Sequence, residues 1–141
     1  MTAYLVVVDA SFAVRLLLPG PDQSTYRTQA MEWTTNGIEF VAPTLWLYEM
    51  TSALTKIARL GDLGPDEARN ALALTHQLGV RLVPPDEALT HSAFDWTKRL
   101  GRTSAYDSFY LALAERLECE LWTADRRLRN AVDVPWVRGI E

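Results

Sequence analysis

Short apolar runs that alternate with longer amphipathic segments constrain the fold of this chain more than any other feature. Residues 4–8 form the first run, which is rich in valine and stops at the polar residue Asp9. A run of this kind is typical of a strand buried on both faces of a parallel sheet. By similar criteria we predict strands at residues 4–8, 38–41, 80–83, 120–123 and about 136–137.

The segments between these runs carry signals for helix starts and ends. Ser11 is a candidate N-cap for a helix over residues 12–18, which the Pro-Gly-Pro sequence at 19–21 terminates. Strands that alternate with helices predict a parallel sheet covered on both faces, in which ligands bind beyond the carboxyl ends of the strands. The further predicted helices span residues 24–35, 44–60, 66–78, 86–100, 106–117 and 126–131.

The composition is that of an ordinary globular domain. The 141 residues are 48% apolar and 23% charged, which favours a single domain over residues 1–141 without long disordered regions. The lone cysteine, Cys119, cannot form an internal disulfide, which fits a reducing cytoplasm. The first apolar run is interrupted by Asp9 and then by Arg15, so it predicts neither a signal peptide nor a membrane span.

Positive charge is local rather than global in this sequence. The net charge is −4, so the field of the whole molecule does not attract a polyanion such as RNA. Arginine supplies 12 of the 14 basic residues, and four arginines gather near the C-terminus. This cluster either faces phosphates or forms a solvated helix surface, and the second alternative is the more common one. Its members are Arg126, Arg127, Arg129 and Arg138.

Two candidate site acids directly follow predicted strands. Asp9 comes after the first strand, where a central parallel strand delivers a side chain into the ligand cleft. Its alternative role is to cap the next helix, but Ser11 can already do so, which favours a site role for Asp9. Asp125 follows the fourth strand. The sequence is equally compatible with a site role for Asp125 and with its being the N-cap of the helix at 126–131.

Two further candidate acids lie on predicted helices. Asp107 stands at capping-box spacing from Ser104, yet its apolar neighbours suggest a helix buried nearly all round, where a carboxylate needs a partner. Glu49 is in the middle of a helix, so capping cannot explain it, and it borders the apolar stripe of that helix. The alternative for Glu49 is an ion pair at the helix edge.

Carboxylates that converge at the strand ends would repel one another, and a cation would remove that penalty. Mg²⁺ or Mn²⁺ suits oxygen ligands, whereas the sequence has no Cys and His spacing that suits zinc. The residues therefore predict one acidic metal site, formed by Asp9, Glu49, Asp107 and Asp125.

Four motifs, in order along the chain, resemble the PIN-domain family and within it the VapC toxins. The resemblance implies a three-layer α/β/α sandwich around a five-stranded parallel sheet, and an Mg²⁺- or Mn²⁺-dependent endoribonuclease that cleaves RNA, commonly tRNA or rRNA. It also implies a VapB-type antitoxin partner and a homodimer. Ser52 departs from the family, which often has asparagine three residues after the helical glutamate. The motifs are Val8-Asp-Ala-Ser-Phe-Ala-Val14, Glu49-Met-Thr-Ser-Ala-Leu54, Tyr106-Asp-Ser-Phe-Tyr-Leu-Ala-Leu-Ala114 and Thr123-Ala-Asp-Arg-Arg-Leu128.

Each site residue has an expected role under this hypothesis. Asp9 and Asp107 are the expected principal metal ligands, with the other two acids completing the site directly or through water. A metal-bound water would then attack phosphorus in line. Ser11 and Thr123 are candidates to orient a carboxylate or a water, with turn hydrogen bonding as the alternative.

Three arginines are the nearest candidates for RNA phosphate contacts by chain position: Arg15, Arg126 and Arg127.

Two other classes of function are compatible with parts of the sequence. A phosphotransfer receiver or phosphatase also uses an acidic α/β site, but receivers place a lysine after the fifth strand, and this chain has only Lys56 and Lys98. A PIN-like module that acts by protein binding would use exposed aromatic residues, although core packing is their commoner fate. The candidates for such a surface are Trp33, Trp46, Tyr48 and Trp96.

Overall fold

A five-stranded parallel sheet forms the centre of the structure, a computed structural model that describes residues 4–140. The strands are β1 (Leu5–Val8), β2 (Glu39–Pro43), β3 (Arg81–Val83), β4 (Glu120–Trp122) and β5 (Val137–Arg138). Their spatial order is β3-β2-β1-β4-β5, and all neighbours are parallel. The predicted parallel sheet is confirmed, with the last strand one residue later than expected.

Seven helices accompany the sheet between residues 4 and 140. They are α1 (Ala10–Leu17), α2 (Gln23–Thr35), α3 (Leu45–Arg59), α4 (Pro65–Gln77), α5 (Glu87–Leu100), α6 (Tyr106–Leu117) and α7 (Arg126–Val132). All seven were predicted, and their ends differ from the prediction by at most two residues. Over the same described range, no helix combines the length and the apolar character needed to cross a bilayer.

Alternating side chains of the central strand separate two apolar cores. Val7, with Val41 and Leu121 from the neighbouring strands, lies in a core that also contains residues of α3, α5 and α6. Val6 and Val8 lie in a second core with residues of α1 and α2. The two-residue period of a strand explains this division, and the result is the predicted three-layer α/β/α arrangement.

Phe12 occupies the middle of an aromatic group in the second core. Its ring centroid lies 4.8 Å from that of Tyr26, 5.5 Å from that of Trp33 and 6.4 Å from that of Trp122. All four side chains are buried, and rings at such distances attract one another beyond their apolar burial. The group therefore ties the first helix, which directly follows Asp9, to α2 and β4.

Gly139 follows β5 where the chain passes close to the end of β4. A Cβ atom at this residue would lie 2.6 Å from the carbonyl oxygen of Thr123 and 2.9 Å from the guanidinium of Arg129. Because the carbonyl belongs to the backbone, it cannot yield as a flexible side chain can. We expect Gly139→Ala to lower the free energy of unfolding by about 1–3 kcal/mol in urea denaturation. Gly20→Ala is the matched control, because its Cβ meets no described atom within 4 Å; equal stabilities would contradict the close approach.

Candidate active site

The strand order reverses between β1 and β4, and the candidate site lies at this point. These two strands are neighbours, but the chain continues from β1 towards one edge of the sheet and from β4 towards the other. A backbone hydrogen bond of 3.3 Å from Asp9 to Trp122 joins the strand ends. Such a reversal is where ligands bind in open α/β sheets. Asp9 and Asp125 follow the two strands, so both stand at the reversal.

Asp9 is buried and is held by neutral donors. Its Oδ1 accepts hydrogen bonds of 2.7 Å from the Ser11 hydroxyl and 2.9 Å from the backbone N–H of Phe12. The second bond makes Asp9 the N-cap of α1, so the prediction that Ser11 caps this helix was wrong. Burial raises the pKa of Asp9 to about 6, against the lowering effect of hydrogen bonds from Thr123, Ser11 and Phe12.

Two hydroxyl groups link the loops that follow β1 and β4. The Ser11 and Thr123 hydroxyl oxygens are 3.2 Å apart. Ser11 accepts a hydrogen bond of 2.9 Å from the N–H of Ala124, and Thr123 accepts one of 3.0 Å from the N–H of Asp125. Both residues therefore make the turn hydrogen bonds that were the alternative role, and Ser11 also orients the carboxylate of Asp9.

Asp125 is the N-cap of α7. Its Oδ1 accepts the backbone N–H groups of Arg127 at 3.0 Å and of Leu128 at 3.2 Å. The capping role that the sequence left open is therefore present. The charge of Asp125 also raises the pKa of Asp107, so this capping carboxylate interacts electrostatically with the candidate site.

Glu49 is held by a tyrosine that the sequence analysis missed. The hydroxyl of Tyr110 donates a hydrogen bond of 2.6 Å to Glu49 Oε1, and Tyr110 is only 1% exposed. Burial, together with the charge of Glu49, raises the pKa of Tyr110, so its hydroxyl keeps its proton. Tyr110 follows Asp107 by three residues on α6, and this same-face spacing was a usable signal. Ser52, where the family often has asparagine, is exposed on α3.

Asp107 forms an ion pair with Arg102, a residue in the loop between α5 and α6. The distance from Arg102 Nη1 to Asp107 Oδ2 is 2.9 Å. The alternative role of Asp107, a capping box with Ser104, is not formed, because α6 begins after Ala105, whose side chain has no hydrogen-bonding group. Burial raises the pKa of Asp107, the charge of Arg102 lowers it, and the charge of Asp125 raises it. No spacing rule connects two residues five apart across a loop and a helix start, so Arg102 could not be found from the sequence.

The four carboxylates form one electrostatically coupled group, which we call the acidic group. The charge of Asp107 raises the pKa of both Asp9 and Glu49, and that of Asp125 raises the pKa of Asp107. Such effects require proximity, because charges are screened over about 10 Å in salt solution. An all-oxygen donor set of this kind fits a hard divalent cation such as Mg²⁺ or Mn²⁺. Within residues 4–140, no three Asp, Glu, His or Cys side chains are already arranged as a metal site.

The arginines considered for RNA contacts differ in their surroundings. Arg15 pairs with Asp22 at 2.9 Å on the surface. Arg126 and Arg127 are exposed at the start of α7. Arg138 is engaged elsewhere, since its guanidinium lies over the Trp122 ring. Of the C-terminal basic cluster, Arg126 and Arg127 are therefore the exposed candidates at the start of α7, whereas Arg138 has partners within the protein.

Most of the aromatic residues considered for a protein-binding surface lie inside the protein. Trp33, Trp46 and Trp96 are buried, which is the core-packing alternative that the sequence analysis gave as the commoner fate of such side chains. Tyr48 is 75% exposed. The three tryptophans serve core packing, so they give no support to a binding surface.

The sheet order and the acidic group at its reversal define an acidic-site α/β domain. The family profile for the PIN domain matches residues 6–134. A VapC ribonuclease from Mycobacterium bovis is 36% identical over 126 residues, which cover 89% of this chain and 90% of that relative. The chain therefore belongs to the PIN-domain family and, within it, to the VapC ribonucleases, as the four motifs predicted.

Solved structures share the fold at low sequence identity. VapC20 of Mycobacterium tuberculosis, described as a toxin that cleaves the sarcin-ricin loop, has a TM-score of 0.67 and 18% identity, covering 94% of this chain and 96% of that one. VapBC2 of Rickettsia felis, bound to a DNA fragment from its promoter, has a TM-score of 0.68 and 11% identity, covering 96% and 97%. At these identities the likeness concerns the fold alone, and it agrees with the predicted PIN-like sandwich.

Proposed function

We propose that this protein is a metal-dependent endoribonuclease and the toxin component of a type II toxin–antitoxin system. The observation that carries the proposal is the acidic group, in which three carboxylates have pKa values raised chiefly by burial. Carboxylates with perturbed pKa values cluster at functional sites. The relative from Mycobacterium bovis that is named a VapC ribonuclease supports RNA as the substrate.

The acidic group would hold Mg²⁺ or Mn²⁺, with Asp9 and Asp107 as the principal ligands and Glu49 and Asp125 completing the set. A cation bound there supplies a Lewis acid and lowers the pKa of a coordinated water. The chain itself fixes the carboxylates in place. The hydroxyl of Tyr110 donates to Glu49, and the hydroxyls of Ser11 and Thr123 hold Asp9.

RNA would be held by local positive charge, because the whole molecule carries a net charge of −4. Arg126 and Arg127 are exposed next to Asp125 in the chain, and contacts from them to phosphates would position RNA without reading its sequence. Arg15 would join them by exchanging its exposed partner Asp22 for a phosphate.

A VapB-type antitoxin is the proposed protein partner, and the shared fold with the VapBC2 complex of Rickettsia felis supports this assignment. Homodimerisation, and tRNA or rRNA as the cellular substrate, stay predictions. Co-expression with the product of the neighbouring reading frame, followed by size-exclusion chromatography with light scattering, tests the partner and the oligomeric state together.

We expect the nuclease-free protein to cleave RNA in Mg²⁺ or Mn²⁺ and to lose this activity in EDTA. Asp107→Asn should lower the cleavage rate at least about 100-fold, since even supporting residues around a metal contribute 10- to 100-fold. Asp133→Asn is the matched control. Asp133 is an exposed α7 C-cap with φ of 50°, a conformation that asparagine also adopts. Metal-independent cleavage, or equal rates for both variants, would contradict the proposal.

A further inference from the structure

Arg102 is a cation supplied by the chain to its own acidic group. Its guanidinium lies 2.9 Å from Asp107 Oδ2, and the two side chains are 29% and 37% exposed. We propose that the Arg102 side chain has two positions, an inference that rests on the proposed function. It neutralises Asp107 in the metal-free protein, and it binds an RNA phosphate once Asp107 is engaged in metal binding.

Hydrogen bonds anchor the backbone next to Arg102, so its side chain can change partners without a change in the backbone. Gly101 ends α5 in the left-handed conformation, with φ of 65°, and donates to the carbonyl of Lys98 at 3.1 Å. The N–H of Arg102 donates to the carbonyl of Thr97 at 3.1 Å. The hydroxyl of Thr97 also donates to Ser108 Oγ at 2.7 Å, which links α5 to α6. These contacts hold the start of the loop against α5 and α6, which leaves the guanidinium as the part of Arg102 that exchanges partners.

The ion pair between Arg102 and Asp107 is of a kind that exchanges readily. Pairs exposed to this extent contribute little to stability, because water screens the attraction and both side chains lose freedom in making it. The planar guanidinium fork fits a carboxylate and a phosphate equally well. Breaking the pair therefore costs little if a phosphate oxygen replaces the carboxylate oxygen.

Arg102 and a divalent cation compete for the same carboxylate. Two positive groups on one carboxylate repel each other, and at such short distances the repulsion persists even though water partly screens it. When a metal ion binds Asp107, Arg102 loses its carboxylate partner, and its positive charge stays beside the acidic group. An RNA phosphate at the same crevice provides the partner, so metal and RNA binding become linked. If Arg102 instead only oriented Asp107, its loss would weaken metal binding.

The first test measures Mn²⁺ binding alone, by electron paramagnetic resonance of nuclease-free protein without RNA. We expect Arg102→Gln to bind Mn²⁺ about three- to tenfold more tightly than the unaltered protein. The control is Arg99→Gln, which removes the same charge from α5; Arg99 lies 4.6 Å over the Trp96 ring. The control should change the Mn²⁺ affinity by less than twofold. Weaker or unchanged Mn²⁺ binding in Arg102→Gln would overturn the proposal.

The second test measures cleavage of a single-stranded RNA oligonucleotide in Mn²⁺ over a range of salt concentrations. We expect Arg102→Gln to raise KM about five- to thirtyfold with kcat within threefold, and to reduce the slope of log KM against log salt by about 0.7–1, the value of one phosphate contact. Arg102→Lys keeps the positive charge, so it should raise KM less than Arg102→Gln does. A changed kcat with unchanged KM and slope would overturn the proposal.

The two tests distinguish a failure of the proposed function from a failure of the role proposed for Arg102. If the unaltered protein neither binds Mn²⁺ nor cleaves RNA, the proposed function fails. If it does both and Arg102→Gln matches it in Mn²⁺ affinity, KM and salt slope, only the role of Arg102 fails. Thermal unfolding of each variant shows whether it is folded before either test.

Discussion

Asp9→Asn is expected to abolish metal-dependent RNA cleavage and, at the same time, to stabilise the metal-free protein at neutral pH. Asparagine keeps an Oδ1 acceptor for the N–H of Phe12 and the hydroxyl of Ser11, so the start of α1 should be preserved. A neutral amide is a much poorer ligand for a hard cation than a carboxylate. We expect the cleavage rate to fall at least about 100-fold.

The stabilisation follows from the sign of the pKa shift of Asp9. Burial raises this pKa to about 6, whereas an unfolded chain has an aspartate pKa of about 3.9. The native state therefore disfavours the charged form, and stability is lost as the pH rises from about 4 to about 6 and stays lower above that range. A shift of two pKa units corresponds to about 3 kcal/mol, which the asparagine variant would regain.

Urea unfolding in EDTA at pH 4 and at pH 7.5 measures this effect. The stability difference between Asp9→Asn and the unaltered protein should be small at pH 4 and about 2–3 kcal/mol in favour of the variant at pH 7.5. Adding Mg²⁺ should stabilise the unaltered protein and leave the variant unchanged. A difference that is the same at both pH values would show that the burial of the Asp9 charge is not its cause.

Phe12→Ala should produce the largest loss of stability among single substitutions in the second core. Phe12 is 1% exposed and contacts the rings of Tyr26, Trp33 and Trp122. Removing its ring leaves a cavity that three large neighbours cannot easily fill, and such substitutions cost about 3–5 kcal/mol. That is a large part of the roughly 5–15 kcal/mol that stabilises a typical domain.

Phe94→Ala is the matched control for this experiment. Phe94 is 67% exposed on α5, so its loss should change the free energy of unfolding by less than about 0.5 kcal/mol. Denaturant unfolding of both variants gives the comparison. Similar costs for the two substitutions would contradict the assignment of Phe12 as the centre of a packed aromatic group.

The sequence predicted the fold because its local signals agree with one another. The valine-rich run at β1 predicts a buried strand, and the structure confirms it. Asp9 and Asp125 lie beyond strand ends, as expected. The prediction that Ser11 is the N-cap of α1 was wrong because Asp9 and Ser11 are both good capping residues. Local sequence does not distinguish between them. The choice depends on the loop after β4, whose Ala124 N–H donates to the Ser11 hydroxyl.

Partners of the site acids were harder to predict than their positions. Tyr110 is 61 residues from Glu49 and Arg102 lies in a loop before Asp107. Which side chain meets a carboxylate depends on how α3, α5 and α6 pack. The spacing of Tyr110 from Asp107 indicates a shared face of α6, but it does not show that this face meets Glu49. The acidic group was therefore inferred from the sequence, whereas the side chains that hold it were found only in three dimensions.

The hydroxyl link between Ser11 and Thr123 joins residues that are 112 positions apart in the chain. A nascent polypeptide that extends only through β3 contains the sequences of α1 to α4, yet it lacks the loop that completes the surroundings of Asp9. Long-range pairings of this kind form slowly because a long loop must close first. We therefore expect the candidate site to be among the last parts of the molecule to assemble, and premature termination of synthesis to release fragments that carry Asp9 without the rest of the acidic group.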